Sequence, residues 1–104
     1  MNIKFVTIIT PMYNSSKYIS ETIKSVQNQT YYDWEMIIVD DCSTDNSTSI
    51  VANIASIDDR IILIYQSDNL GAAQARNSAL ELAKGRFIAF LDSDDLWRPD
   101  KLKK

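Results

Sequence analysis

The chain has 104 residues, enough for one small domain or part of a larger one, and 45% of them are apolar, so a core can form. A net charge of −3 with mostly scattered lysines and arginines argues against a nucleic-acid surface, and one cysteine with no histidine excludes a disulfide framework and zinc-type ligand sets. The cysteine usage suits a reducing, cytoplasmic compartment, no signal peptide is legible, and no stretch is long enough to cross a bilayer.

Residues 5–10 are rich in β-branched side chains and read as a first strand. Pro11 is expected to end it, because proline cannot donate to a ladder. Tyr13, Asn14, Ser15 and Ser16 are turn chemistry, with Asn or Ser ready to cap a helix. Ile19, Ile23 and Val26 recur at helical spacing, which predicts an amphipathic helix over 17–27. After a loop at 31–33, residues 34–39 form a second strand that runs into Asp40 and Asp41. Ser43, Thr44, Asp45 and Ser47 make a turn and cap, and Ile50, Val51, Ile54 and Ile57 mark a second helix closed by Asp58 and Asp59. Residues 61–65 read as a third strand, 67–71 as a loop, and 72–84 as a third helix with Ala75, Ala79, Leu82 and Ala83 inward. Gly85 is placed to terminate that helix in a left-handed conformation. The apolar run from Phe87 to Leu91 predicts a fourth strand, parallel and buried. Residues 99–104 read as the start of a further element, so the chain is expected to stop within a fold.

The order β-α-β-α-β-α-β predicts an α/β fold, with a mainly parallel sheet of about four strands, flanking helices and right-handed crossovers. In such a sheet the C-terminal strand ends share one edge, where ligands bind. Pro11 to Tyr13, Asp40 and Asp41, the 67–71 loop, and Asp92 to Asp94 are therefore expected to converge on one crevice. Packing gives no reason for a buried strand to end on Asp92, Asp94 and Asp95, which repel one another and lose hydration if the site closes. A divalent cation resolves that conflict. Two apart in an extended chain, Asp92 and Asp94 point the same way, with Ser93 turned aside, and offer oxygen ligands to Mg²⁺ or Mn²⁺, which can then hold a phosphate. The alternatives are solvated loop acids or, for Asp95, the cap of a following helix. A calcium loop is disfavoured by Leu96, Trp97 and Lys103, which stand where it needs a ligand, Gly and Glu. Asp40 can accept from a base N–H or a ribose hydroxyl. Arg76, in the second turn of the third helix, either adds positive charge beside a diphosphate or is an exposed helix charge. No G-x-G-x-x-G follows the first strand and no Walker A sequence occurs, so neither a dinucleotide cofactor nor ordinary NTP hydrolysis is expected.

Four segments, at 8–14, 38–45, 69–77 and 91–95, lie in an order and spacing that resemble the N-terminal half of a family 2 glycosyltransferase with the GT-A fold, and together they cover nearly the whole chain. Cys42 stands where that family often has Gly. The resemblance implies a Rossmann-like nucleotide-binding half, with residues 1–104 as the donor-binding part, truncated after the D-x-D element. It implies that Pro11 and Tyr13 flank the nucleobase, that Asp40 contacts the uracil or ribose, that Arg76 lies near the diphosphate, and that Asp92 and Ser93 meet the nucleotide-sugar. Asp92 and Asp94 would be the D-x-D element, with Asp94 the more direct ligand of Mn²⁺ or Mg²⁺. The implied activity is a metal-dependent, inverting transfer from a nucleotide-diphospho-sugar, most often UDP-linked, to a hydroxyl of a glycan or other acceptor in polysaccharide biosynthesis. Metal charge would stabilise the departing diphosphate. The general base is expected in a second half, outside this chain, so the 104 residues alone are expected to bind donor without turnover. The implied location is cytoplasmic, at the inner face of a membrane for the full-length protein, and an edge left open by truncation invites self-association. Three rival readings are weaker or less specific. A haloacid-dehalogenase-type phosphatase using Asp92 and Asp94 normally opens its domain with that element. A receiver domain lacks its lysine after a fifth strand. A non-catalytic nucleotide-binding module fits the same fold.

Overall fold

The computed structural model describes residues 5–66, 68, 70–99 and 101. The loop expected at 67–71 is thus described at 68, 70 and 71, and residues 100 and 102–104 of the expected further element lie outside the described residues. In chain order the elements are β1 (Val6–Met12), α1 (Ile19–Gln27), β2 (Trp34–Asp40), α2 (Ser47–Ala55), β3 (Ile61–Tyr65), α3 (Ala72–Leu82) and β4 (Phe87–Phe90). The strands form one sheet in the order β3-β2-β1-β4, and every pairing is parallel.

Strand alternation sorts the side chains onto two faces. Val6, Ile8 and Met12 of β1, with Trp34, Met36 and Ile38 of β2, join Ile19, Ile23 and Val26 of α1 and Val51 of α2 in one core cluster. Ile9, Ile37 and Val39 face the other way and meet Ala75 and Ala79 of α3. The small alanines let α3 lie close over β1 and β2. Each buried aliphatic side chain contributes about 1.5–3 kcal/mol by leaving water, so the central strands, apolar on both faces, hold most of the core. A buried polar contact ties down the far end of the sheet. Glu35, on the α3 face of β2, accepts the Thr7 hydroxyl at 2.6 Å and the Lys84 N–H at 2.8 Å.

Several sequence-based expectations change. β1 does not stop at residue 10 but continues through Pro11 to Met12, paired with β2. Proline is tolerated because alternate residues share a neighbour. Ile9 accepts the Leu91 N–H on the β4 side at 3.1 Å, so residue 11 also faces β4, whose pairing has already ended at Phe90. α1 starts at Ile19 rather than 17, with no side-chain cap. α2 ends before Ile57, which is 88% exposed. α3 ends at Leu82, which is exposed rather than inward, and Ala83 is already extended. Gly85 is not left-handed. Glycine is needed there because a Cβ would collide with the Thr7 backbone nitrogen. β4 is not a buried strand: it lies at the sheet edge, and Phe87, Ile88 and Phe90 are exposed. An apolar run states what a strand can bury, not whether a neighbour covers it.

Candidate functional site

A cavity of about 370 Å³ opens at the C-terminal edge of the sheet, lined by the segment from Pro11 to Ser15, Tyr18, Asp41, Ala72, Arg76, and Asp92 to Asp94. It draws on the ends of β1, β2 and β4 and on the first turns of α3. Pro11, Tyr13, Arg76, Asp92, Ser93 and Asp94 are therefore brought together as the topology requires. Asp40 does not line the cavity. It is 3% exposed and is engaged by Ser43, whose hydroxyl donates to one carboxylate oxygen and whose N–H donates to the other at 3.2 Å.

Of the two acids expected at this edge, Asp41 lines the cavity and Asp40 does not. Parity explains the difference: Asp40 shares the α1–α2 face with Met36 and Ile38, whereas the next residue turns toward α3. Asp41 is 5% exposed and accepts from the Gln66 side-chain amide at 2.9 Å, the Leu70 N–H at 2.8 Å and the Gly71 N–H at 2.9 Å. Three donors offset the lost hydration. They also fasten the start of α3, where Gly71 takes φ 90, a conformation that favours glycine. The next residue, Cys42, takes the left-handed φ of 62, the position the resemblance associates with Gly, and its thiol donates to the Gln66 carbonyl at 3.2 Å. Burial, followed by the charges of Asp41 and Asp40, pushes the Cys42 thiol pKa up, so it stays protonated.

The first and second loops are laced together by hydrogen bonds that local turn chemistry does not announce. The Asn14 side-chain Oδ1 accepts the Thr44 N–H at 2.7 Å and the Asp45 N–H at 3.3 Å, and the Asn14 backbone N–H donates to the Ser43 hydroxyl at 2.9 Å. Asp45 accepts the hydroxyl and N–H of Ser47 and the N–H of Ser16, and the Ser47 hydroxyl leads in holding its carboxyl pKa down to about 2. Asn14 thus works across the site rather than as a cap.

The third loop carries the available charge. Asp92 and Asp94 flank a turn closed by the Asp95 N–H donating to the Asp92 carbonyl at 3.1 Å. The Asp92 side chain is 71% exposed and lies 4.0 Å from the Arg76 guanidinium, which also sits 6.0 Å above the Phe90 ring centre. Asp94 has no side-chain partner among the described residues. No group of three or more potential ligand residues is gathered among the described residues. Two carboxylates on an open cavity, one without a side-chain partner and the other in a long ion pair with Arg76, nonetheless fit a Mg²⁺- or Mn²⁺-type cation, which takes one or two protein carboxylates and completes its shell with water and phosphate oxygens. Asp95 does not cap a helix; its carboxylate accepts the Leu96 N–H.

Comparison with known proteins gives consistent findings. The family described as "Glycosyl transferase family 2" matches residues 7–104. A Bacillus subtilis (strain 168) protein, TuaG, provisionally named a teichuronic acid biosynthesis glycosyltransferase, is 56% identical over 99 residues, which are 95% of this chain and 39% of that protein. The chain thus spans about two fifths of that relative's length. The crystal structure of S. aureus TarS 1-349 in complex with UDP superposes with a TM-score of 0.87 at 36% identity, over 94% of this chain and 30% of that one. The mannosyltransferase PcManGT from Pyrobaculum calidifontis, in complex with GDP-Man and Mn²⁺, superposes with a TM-score of 0.84 at 33% identity, over 89% and 28% respectively. The four-stranded parallel sheet and its flanking helices thus share the α/β fold of GT-A glycosyltransferases. No helix among the described residues is long and apolar enough to cross a membrane.

Proposed function

The chain belongs to glycosyl transferase family 2, and from that premise we propose that its cavity binds the donor of a metal-dependent, inverting sugar transfer, a nucleotide-diphospho-sugar of the UDP type. The observation that carries this reading is the meeting of Pro11, Tyr13, Arg76, Asp92 and Asp94 on one wall. Pro11 and Tyr13 offer apolar and aromatic surface for a base. Arg76 offers a planar, permanently charged donor for a diphosphate. Asp92 and Asp94 would hold Mn²⁺ or Mg²⁺, which supplies positive charge where the departing diphosphate becomes more negative. The UDP-bound and GDP-Man- and Mn²⁺-bound relatives support the donor class and the ion. Asp41 holds the start of α3, and with it Arg76, against the cavity. With Asp40 engaged by Ser43, any part it plays toward the ribose runs through that turn.

Residues 1–104 act as the donor-binding part. Asp40 and Asp41 are occupied by hydrogen bonds, and Asp92 and Asp94 are reserved for the cation, so among the described residues no carboxylate on the wall remains to take the proton of an acceptor hydroxyl. The acceptor's base therefore comes from outside these residues, and the acceptor is a glycan or another hydroxyl compound of cell-envelope polysaccharide synthesis. Calorimetric titration of UDP with and without Mn²⁺, paired with a transfer assay on the 104-residue chain, tests both points. Mn²⁺-dependent binding without turnover is the expected result. Sustained transfer by this chain alone would overturn the donor-half assignment, and absence of metal-dependent UDP binding would overturn the donor site.

A further inference from the structure

We propose that the polar edge of α1 is a positioning element for the Asp92–Asp94 turn, an inference that rests on the donor-site reading. The apolar stripe of α1, Ile19, Ile23 and Val26, is buried in the core. Beside it Thr22 and Ser25 share an edge of the helix, and Gln29, just past its C-terminal end, continues that line. The chain beyond β4 lies along that edge and is held at successive points. The Thr22 hydroxyl donates to the Ser93 carbonyl at 2.9 Å. The Ser25 hydroxyl accepts the Trp97 N–H at 3.1 Å. The Gln29 side-chain amide donates to the Arg98 carbonyl, and the Thr30 N–H donates to the Pro99 carbonyl at 2.8 Å. Ser15, just before α1, adds a hydroxyl contact to the Ser93 hydroxyl at 2.6 Å, and its own N–H donates to the Ser47 hydroxyl at 2.8 Å.

The geometry gives this rail a consequence for the site. Ser93 is gripped at both its hydroxyl and its carbonyl, so the middle residue of the turn is fixed inward. Asp92 and Asp94, on either side, line the cavity without spending their carboxylates on that anchorage. A turn ordered in advance spares the cation the cost of ordering it. Thr22 does not line the cavity, so its influence on a bound ion runs through Ser93.

The test uses the whole chain with Thr22→Val, Ser15→Ala and the conservative Thr22→Ser. Amide exchange of residues 93–98 in the ligand-free chain should speed up by about tenfold in Thr22→Val and Ser15→Ala, with β1 and β2 unchanged. The Mn²⁺-dependent part of UDP affinity should fall about three- to tenfold in both, the effect of one lost hydrogen bond. Affinity for UDP without metal should stay the same in Thr22→Val, which lies off the cavity wall, and Thr22→Ser should restore wild-type behaviour. Unchanged exchange at 93–98, or an equal loss of affinity with and without Mn²⁺, would overturn the positioning role while leaving the donor site standing. A wild-type chain that fails to bind UDP with Mn²⁺ would remove the donor site, and this role with it.

Discussion

Two acidic strand ends share one edge of this sheet, separated by β1, and they behave in opposite ways. Asp40 ends β2, a strand buried on both faces, and Asp41 follows it, and both carboxylates are enclosed and engaged by donors. Asp92 and Asp94 follow β4, the exposed edge strand, and their carboxylates stay open to the cavity with only the distant Arg76 guanidinium nearby. An acid after a strand therefore has no fixed meaning. A carboxylate at the end of a central strand meets loops on both sides and becomes a fastener. One at the end of an edge strand meets fewer backbone donors and keeps its charge for a ligand.

Mutation can break that contrast. The largest effect is expected at Asp41→Ala, which strands the Gln66, Leu70 and Gly71 donors in a buried place. Unfolding free energy should fall by about 3 kcal/mol, measured by denaturant titration. A loss no larger than that of a surface substitution would show that the loop before α3 is held by something else. Asp94→Ala should do the reverse. Stability should stay within about 0.5 kcal/mol, while Mn²⁺-dependent UDP affinity drops by at least about tenfold, or roughly 1.4 kcal/mol. Glu81→Ala, on the exposed part of α3, serves as the unaffected control. The smallest effect sharpens the fastener side. Asp45 has its pKa lowered from the ordinary 3.8 to about 2 by its hydrogen bonds, led by that from the Ser47 hydroxyl. Its stabilising contribution is therefore complete above pH 3.8, shrinks as pH falls, and is gone once pH passes below about 2. Asp45→Asn should be less stable than wild type near neutrality and converge with it in that acid window, followed by circular dichroism.

Element order and the meeting of β1, β4 and α3 residues at one edge were legible, because each apolar run had the length and period of its element. Three things were not. The choice between Asp40 and Asp41 turns on strand parity, which is readable from Met36 and Ile38 against Ile37 and Val39, but the face that the cavity adopts is a tertiary fact. The exposure of β4 depends on sheet order, since Phe87 to Leu91 would look the same in the middle of a sheet. The rail of Thr22, Ser25 and Gln29 is not legible because helical periodicity is carried by apolar residues, while these polar ones find partners some 70 positions away.

Pro11 has one more consequence. A parallel pair zips for as long as each successive backbone offers both a donor and an acceptor. The imino acid removes the donor on the side that faces β4, so zipping halts there as a matter of covalent structure, whatever the temperature or ligand. The chain is thereby released from the sheet one residue before its first exposed acid, and a ring closed at residue 11 decides where, some 80 residues later, the backbone is free to bend.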